Sequence, residues 1–354
     1  AVNDIAITNK GVISSIKKYV KNLVENVQVS AAKAKKPYSS SIYSTEAKST
    51  TDDINENTDS DKIINGSCGA NVNFLLKTDG KLVIYGSGDM TDVENSEIGP
   101  WDEYKDYIKS VDIKDGVTSI GANAFYNCVN ITSVSIPASV ASIGSFAFYN
   151  NQCLDSIIIP DEVKSIEQYA FHSCYELMYV KLPNNITAIK SCTFTLCKKL
   201  SSIIIPESVN SIYHFAFEYS GLTSIYIPKS VSRIYFAFGC CSKLEAINVA
   251  IENQAFMSKE GVLFNHDITT LYAYPGGKKG RYSIPYGVTE IYGFAFHGCS
   301  ELSYVSIPYS VSVIGACAFK CCSELSSIII PPKVDSMFYD TFSNCDNLSL
   351  VIYL

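Results

Sequence analysis

The amino-acid sequence predicts a β-rich, right-handed solenoid, in which similar coils stack and their strands form a parallel sheet. The first observation is a phenylalanine that recurs every 23 residues and resumes the same spacing after an interruption. Prolines keep the same period, and each one ends a short apolar stretch. The repeat phenylalanines are Phe125, Phe148, Phe171, Phe194, Phe217, Phe296, Phe319 and Phe342, with a shortened repeat at Phe238.

The stretch "LDSIIIP", residues 154–160, shows the third observation, the side-chain alternation of a strand with one buried face. Ile158 is expected to point outward, and Pro160 ends the strand because it cannot donate a ladder hydrogen bond. One coil cannot bury both of its faces alone, so neighbouring coils must cover them. The residues predicted to be buried around this coil are Ala147, Phe148, Leu154, Ile157, Ile159, Val163 and Ile166.

Composition and charge exclude several classes of protein. The formal net charge is −7 and only 18% of residues are charged, which argues against a nucleic-acid partner. The sequence has no run of 18 apolar residues, so we expect no transmembrane segment. Residues 1–61 are predicted to form an amphipathic segment followed by a Ser/Thr/Asp-rich linker; the apolar face either packs on the body or attaches to a membrane surface.

The repeat resembles the BspA-like, treponemal-type leucine-rich repeat proteins over about residues 108–354. The pattern is Ile-x-x-x-Ala-Phe-x-x-Cys-x-x-Leu-x-x-Ile-x-Ile-Pro-x-x-Val, with conservative replacements in units such as residues 166–186. The resemblance implies a leucine-rich repeat stack with short helical turns. It also implies that residues 62–107 form an N-terminal cap, with a hairpin turning at Asp79-Gly80 and a short helix whose Trp101 covers the first coil.

The period fails at two places. The repeats near residues 219–241 are one or two residues short, which predicts a slight distortion of the stack. Between Phe256 and Phe296 the spacing is 40 rather than 23. We therefore expect a hairpin insert at about residues 257–281, turning near Asn265-His266-Asp267 and protruding from one coil.

No residue pattern indicates an enzyme, a metal site or a cofactor. A cysteine follows the repeat phenylalanine by three residues at Cys128, Cys174, Cys197, Cys241, Cys299, Cys322 and Cys345. This regularity predicts buried, mostly reduced thiols packed in the core, although neighbouring coils are close enough for disulfides to be sterically conceivable. The four histidines are dispersed; His172 and His297 are expected on one surface track, and nothing in the sequence brings a histidine to a cysteine.

The outward strand positions remain as the candidate binding surface. They carry tyrosines and aliphatic residues among short hydroxyl side chains, a composition suited to protein contacts. The alternative is that serine and β-branched residues merely suit strands. The candidate binding residues on the expected concave sheet are Tyr179, Lys181, Tyr226, Tyr304, Ile158 and Ile204.

The resemblance implies a secreted or cell-surface bacterial protein that adheres to host, extracellular-matrix or microbial protein partners. A passive spacer or stalk without its own ligand is the alternative. The last coil, "NLSLVIYL", would present an uncovered strand edge unless the natural chain continues. Weak self-association through this C-terminal coil is therefore a further expectation.

Overall fold

The computed structural model describes residues 62–93, 99–338 and 340–354. The predicted amphipathic segment and linker, residues 1–61, lie outside the described residues. The described chain is a β-solenoid of about 11 coils with parallel sheets and almost no helix. The predicted solenoid fold is thereby confirmed.

The N-terminal part supplies the first strands of the stack. Strands β1 (Lys62–Ser67), β2 (Val72–Lys77) and β3 (Lys81–Gly86) are antiparallel neighbours, and Gly80 in the second turn has a φ of 88°. β3 then pairs in parallel with β5 (Ser110–Ile113), and β4 (Gly88–Asp89) pairs in parallel with β6 (Val117–Ile120). These parallel pairs join the N-terminal strands directly to the coils.

Trp101 covers the aromatic core of the first coil, as expected. It precedes a 3-10 helix, Asp102–Tyr107, and its indole ring stacks on Phe125 with the ring centroids 5.5 Å apart. The ring of Phe74 meets Trp101 edge-on at 5.2 Å. The indole N–H donates to the carbonyl oxygen of Ala124 at 3.0 Å, so the polar group of this buried side chain has a partner.

Most regular coils contain two short parallel strands, although residues 201–206 form no regular strand in their coil. The first lies between the repeat cysteine and the repeat proline, in β7 (Ser133–Ser135), β9 (Ser156–Ile158), β11 (Tyr179–Lys181), β14 (Ser224–Ile227), β16 (Ala246–Val249), β20 (Gly280–Ser283), β22 (Leu302–Ser306), β24 (Ser327–Ile330) and β26 (Leu350–Tyr353). The second follows the proline, in β8 (Ser142–Ile143), β10 (Ser165–Ile166), β12 (Ala188–Ile189), β13 (Ser211–Ile212), β15 (Arg233–Ile234), β21 (Glu290–Ile291), β23 (Val313–Ile314) and β25 (Ser336–Met337). Every residue predicted to be buried around Phe148 is buried.

The repeat phenylalanines form two stacks in the core, one on each side of the irregular stretch. From Phe125 to Phe238 the centroids of successive rings lie 5.2–5.9 Å apart and the rings are nearly parallel. The stack resumes from Phe296 through Phe319 to Phe342. Tyr274, which the sequence pattern did not identify, stacks on Phe296 at 5.1 Å and takes the place of a repeat phenylalanine.

The corners around these rings are left-handed turns rather than the short helical turns expected. Within the described residues, the positions two before and two after each repeat phenylalanine have positive φ, for example Phe146 (59°) and Asn150 (58°) around Phe148. The N–H groups of these three residues donate to carbonyl oxygens of the next coil. The strained conformation is therefore offset by backbone hydrogen bonds along the stack.

The repeat cysteines donate hydrogen bonds as well as filling space. The Cys174 thiol donates to the carbonyl oxygen of Phe148 at 3.2 Å, and Cys322 does the same to Phe296 at 3.1 Å. In the coil where Asn151 holds this position, its Nδ2 donates to the carbonyl oxygen of Phe125. All 13 cysteines lie within the described residues, and none of them forms a disulfide bond there. The predicted burial of the repeat cysteines is confirmed for all except Cys345, which is half-buried.

The insert is a packed meander and not a protruding hairpin. β17 (Phe256–Lys259), β18 (Val262–Asn265) and β19 (Thr270–Ala273) are antiparallel neighbours, and β19 pairs in parallel with β21. Leu263 belongs to the core cluster of the preceding coils, whereas Val262 and Phe264 belong to that of the following coils. The expectation of protrusion was wrong because both faces of β18 are apolar and both are buried.

We expect the native thiols to differ sharply in reactivity. Burial raises the pKa of Cys174 to about 12 and raises that of Cys197 well above its usual value, so their reactive thiolate forms are suppressed. Cys153 is exposed and serves as the internal control. Iodoacetamide should label Cys153 in the native protein while sparing Cys174 and Cys197, as measured by mass spectrometry. Native labelling of these two as fast as in urea would contradict their burial.

Candidate binding surface

Five of the six candidate binding residues lie on the first strand of a coil, where side chains alternate between core and solvent. Ile204 has the equivalent repeat position in residues 201–206, which form no regular strand. In β9 and β11 the central residues, Ile157 and Val180, are buried, and the residues on either side are exposed. Ile158 and Lys181 are directly paired in adjacent strands. The strands therefore hold the outward side chains at a fixed spacing of about 4.8 Å from coil to coil.

Four of the predicted residues occupy the same repeat position in four successive coils. We call Ile158, Lys181, Ile204 and Tyr226 the outer column. Ile158 is 61% exposed, Ile204 86% and Tyr226 55%. Lys181 is also exposed, and its Nζ lies 3.7 Å from Oδ2 of Asp161, a carboxylate that follows the proline of the preceding coil. The outer column is therefore an apolar surface with one partly neutralised positive charge.

The remaining two predicted residues differ in their surroundings. Tyr179 is 55% exposed and lies beside the outer column, two residues before Lys181. Tyr304 lies beyond the meander and is half-buried. The guanidinium carbon of Arg281 lies 4.6 Å from the centroid of the Tyr304 ring. The structure thus groups Tyr179 with the outer column and separates Tyr304 from it.

Sequence reasoning missed Arg281 because it assigned this residue to the insert. Arg281 instead belongs to β20, whose register places it opposite Tyr304 in β22. The Tyr-Ser-Ile-Pro stretch at residues 282–285 matches the end of a repeat strand and could have revealed β20. The pair adds a cation–π contact to the strand surface, separate from the outer column.

The structure also brings together three polar groups that the sequence did not connect. Sγ of Cys240 lies 3.5 Å from Nε2 of His297, and Nδ1 of His297 lies 3.6 Å from Oε1 of Glu218. Within the described residues, these three form the one group of acidic, histidine and cysteine side chains placed to hold a metal ion. His172 and His297 are both buried, so the expected surface track of histidines was wrong.

The electrostatics of this group follow from its burial. Loss of hydration raises the pKa of Glu218 to about 8, partly opposed by the charge of Lys320. Burial, together with Lys320, lowers the pKa of His297 to about 4. Burial likewise raises the pKa of Cys240 to about 12. At neutral pH both side chains are therefore uncharged, and the contact between Glu218 and His297 is not an ion pair.

A pocket of about 290 Å³ lies beside Trp101 and is lined by Cys68, Met90 and Asp92 among others. The Asp92 carboxylate accepts a hydrogen bond from the backbone N–H of Ala122 at 2.6 Å. The Asp92 carboxylate, a polar group in the lining of this pocket, is therefore already used in a hydrogen bond to the first coils. In the part of the chain that the structure describes, no helix has the length and hydropathy needed to span a membrane.

Comparison with known proteins gives a consistent result. The model of the BspA type leucine rich repeat region matches residues 103–198, 169–274 and 272–353, in six copies. No curated protein sequence matches this chain.

Solved structures of bacterial repeat proteins resemble the chain. A leucine rich cell surface protein from Faecalibacterium prausnitzii is 27% identical, with a TM-score of 0.65, and the match covers 83% of this chain and 96% of that one. A leucine-rich repeat protein from Eubacterium ventriosum is 23% identical, with a TM-score of 0.56 and coverages of 82% and 84%. The pneumococcal vaccine antigen PcpA is 17% identical, with a TM-score of 0.50 and coverages of 83% and 88%; the last two show the fold alone.

Two adjacent isoleucines, one exposed and one buried, should differ in how strongly the same substitution destabilises the protein. Ile204→Ser should leave the melting temperature nearly unchanged, because the Ile204 side chain is 86% exposed. Ile203→Ser, its matched control, removes a side chain that is only 8% exposed and should cost roughly 2–5 kcal/mol of unfolding free energy. Chemical denaturation measures both. Equal losses would show that Ile204 is not free for an external contact.

Proposed function

Because this chain belongs to the BspA-type leucine-rich repeat family, we propose that it is a secreted or cell-surface bacterial protein that binds protein partners through the outer column and Tyr179. The family and the cell-surface protein among the similar structures support a surface role in protein interaction. Repeat scaffolds of this kind typically bind rather than catalyse. Extracellular-matrix and host surface proteins are the partner class for the first screen.

The observation that carries the proposal is the exposure of large apolar side chains in successive coils. Ile158, Ile204 and Tyr226 share one repeat position, and each keeps more than half of its side chain in solvent. Scattered exposed hydrophobic residues need no explanation, but Ile204 and Tyr226 are neighbours in this column, and Ile158 is separated from them only by Lys181. Such a grouped apolar surface gains free energy when another molecule covers it. Burying such surface contributes about 25 cal/mol per Å².

The scaffold lowers the entropic cost of binding. The outer column rests on strand segments whose inward residues Ile157, Val180, Ile203 and Ile225 are packed in the core. A partner would therefore meet side chains already held at a regular spacing, and little backbone conformational freedom would be lost on association. Lys181, whose Nζ lies near Asp161, adds a polar contact within the outer column.

Binding should depend on the outer column and Tyr179. We expect a variant with Tyr179→Ser, Lys181→Ser and Tyr226→Ser to lose at least about tenfold in affinity for any matrix or host protein that the wild-type chain captures, because it removes two aromatic anchors and a charge. Biolayer interferometry with the immobilised full chain measures this. The melting temperature should stay nearly constant, because all three side chains are exposed.

The matched control is the pair Tyr286→Ser and Tyr309→Ser. Both tyrosines are exposed and each follows a repeat proline, away from the first strand of its coil. This control should bind as the wild type does. Equal binding by the triple variant would place the site elsewhere, and the absence of any ligand would favour a passive spacer.

Weak self-association through the C-terminal coil stays a prediction, for which sedimentation of the wild type and of Ile352→Lys is the measurement.

A further inference from the structure

The contact between Glu218, Cys240 and His297 depends on a local break in the repeat. The three residues belong to consecutive coils at one corner, because the N–H of Tyr219 donates to the carbonyl oxygen of Gly239 and the N–H of Cys240 donates to that of His297. Cys240 and His297 are 57 residues apart in sequence. The meander occupies the intervening chain, so the two coils meet directly at this corner.

Two glycines provide the space for the group. A Cβ at Gly239 would lie 2.6 Å from Nδ1 of His297, and a Cβ at Gly298 would lie 2.5 Å from Sγ of Cys240. In earlier coils the position of Gly239 carries large side chains that stack on one another, such as Tyr126 and Tyr149. The imidazole of His297 therefore reaches toward Glu218, two coils away, across a coil that has no side chain at this position.

The group leaves one polar atom unsatisfied. Nδ1 of His297 is buried and has no hydrogen-bond partner, and the whole residue is only 7% exposed. A buried nitrogen without a partner destabilises the fold, because it has lost its hydration without gaining a hydrogen bond. Oε1 of Glu218 lies 3.6 Å from this nitrogen, too far for a hydrogen bond.

From this geometry we propose that Glu218, Cys240 and His297 bind a single divalent transition-metal ion of the zinc class. All three ligand atoms lie within 4.8 Å of one another. Tetrahedral zinc, with bonds of about 2.3 Å to sulfur and about 2.0 Å to nitrogen, holds these two atoms about 3.5 Å apart. The observed distance between Sγ of Cys240 and Nε2 of His297 is 3.5 Å. Nε2 of His297 ligates beside Cys240. The Glu218 carboxylate, which contacts Nδ1 in this structure, moves along the ring edge to reach the same ion.

The donor set selects the kind of ion. Thiolate and imidazole favour zinc and its neighbours in the transition series over calcium and magnesium, which prefer oxygen ligands. Binding displaces the protons of the thiol and the carboxylic acid, and the two resulting negative charges balance the charge of the divalent ion. Three protein ligands leave the fourth position to water, on the side where Cys240 is partly exposed.

The ion would link three coils at the point where the repeats are shortened and the meander interrupts the stack. Glu218 lies beside Phe217, Cys240 near Phe238 and His297 beside Phe296. Regular coils are joined here by stacked side chains, which Gly239 removes. The metal thus replaces a packing contact with coordination bonds, and its binding free energy adds to the stability of the folded chain.

Cobalt(II) titration of the reduced full chain tests the proposal. The chain carries Cys153→Ser throughout, so that the exposed thiol cannot bind metal. We expect one equivalent of Co²⁺ to produce a thiolate-to-cobalt charge-transfer band and visible d–d bands, and Zn²⁺ to displace it. Zn²⁺ should also raise the melting temperature, whereas Mg²⁺ and Ca²⁺ should not.

Variants assign the ligands. Cys240→Ser should abolish the charge-transfer band, and Glu218→Gln and His297→Gln should weaken binding by at least the roughly 10–100-fold typical for loss of a supporting partner. Gly239→Ala should also weaken binding, because its Cβ occupies the place of the imidazole. His172→Gln is the matched control, since His172 is a buried histidine at the same repeat position as His297.

Circular dichroism shows whether each variant is folded, and the cobalt spectrum distinguishes lost coordination from lost structure. Absence of a charge-transfer band in the folded parent chain would overturn the proposal. Equal Co²⁺ affinity in the parent, Cys240→Ser and His297→Gln would do so as well, because the metal would then be bound elsewhere. Preference for Ca²⁺ over Zn²⁺ would contradict the assigned donor set.

Discussion

The spacing between coils is the constraint on which the rest of this structure depends. Parallel strands lie about 4.8 Å apart, and every group that repeats along the stack must fit that interval. Aromatic rings can do so by stacking, and the core rings here are 4.8–5.9 Å apart. The cysteine thiols meet the same interval by donating to the carbonyl oxygen of the preceding coil. One periodic distance thus accounts for the phenylalanines, the cysteines and the left-handed corners together.

The parts of the fold that follow this interval could be predicted from the sequence. Burial of Ile157 and exposure of Ile158 follow from strand alternation, and the position of Phe171 follows from the period. The corners could not be foreseen in the same way. Their left-handed residues are mostly not glycine, because hydrogen bonds between coils, which a single coil does not reveal, hold them in that conformation.

The irregular parts of the stack were predicted less well, because tertiary contacts and not the repeat period decide which residues pack together there. Tyr274 occupies a phenylalanine position, but its distance from Phe238 in sequence conceals this. The same irregularity hid the strand that contains Arg281 and the approach of Cys240 to His297. For the candidate surface, the sequence identified the residues of the outer column correctly as exposed. It could not show that Tyr304 lies apart from the outer column, with the guanidinium group of Arg281 over its ring.

The meander strand β18 has a consequence for how the chain folds. Its two faces serve different core clusters, so the coils before it and the coils after it are joined through this strand and through one corner, where Phe215 and Phe236 pack against Phe294. In a stack whose coils contact only their neighbours, stability is a sum of coil terms and interface terms. The interface formed by β18 differs in composition from the interfaces between regular coils. The coils before it and the coils after it can therefore unfold at different temperatures or at different applied forces. A strand inserted into a repeat array thereby sets the size of its cooperative units.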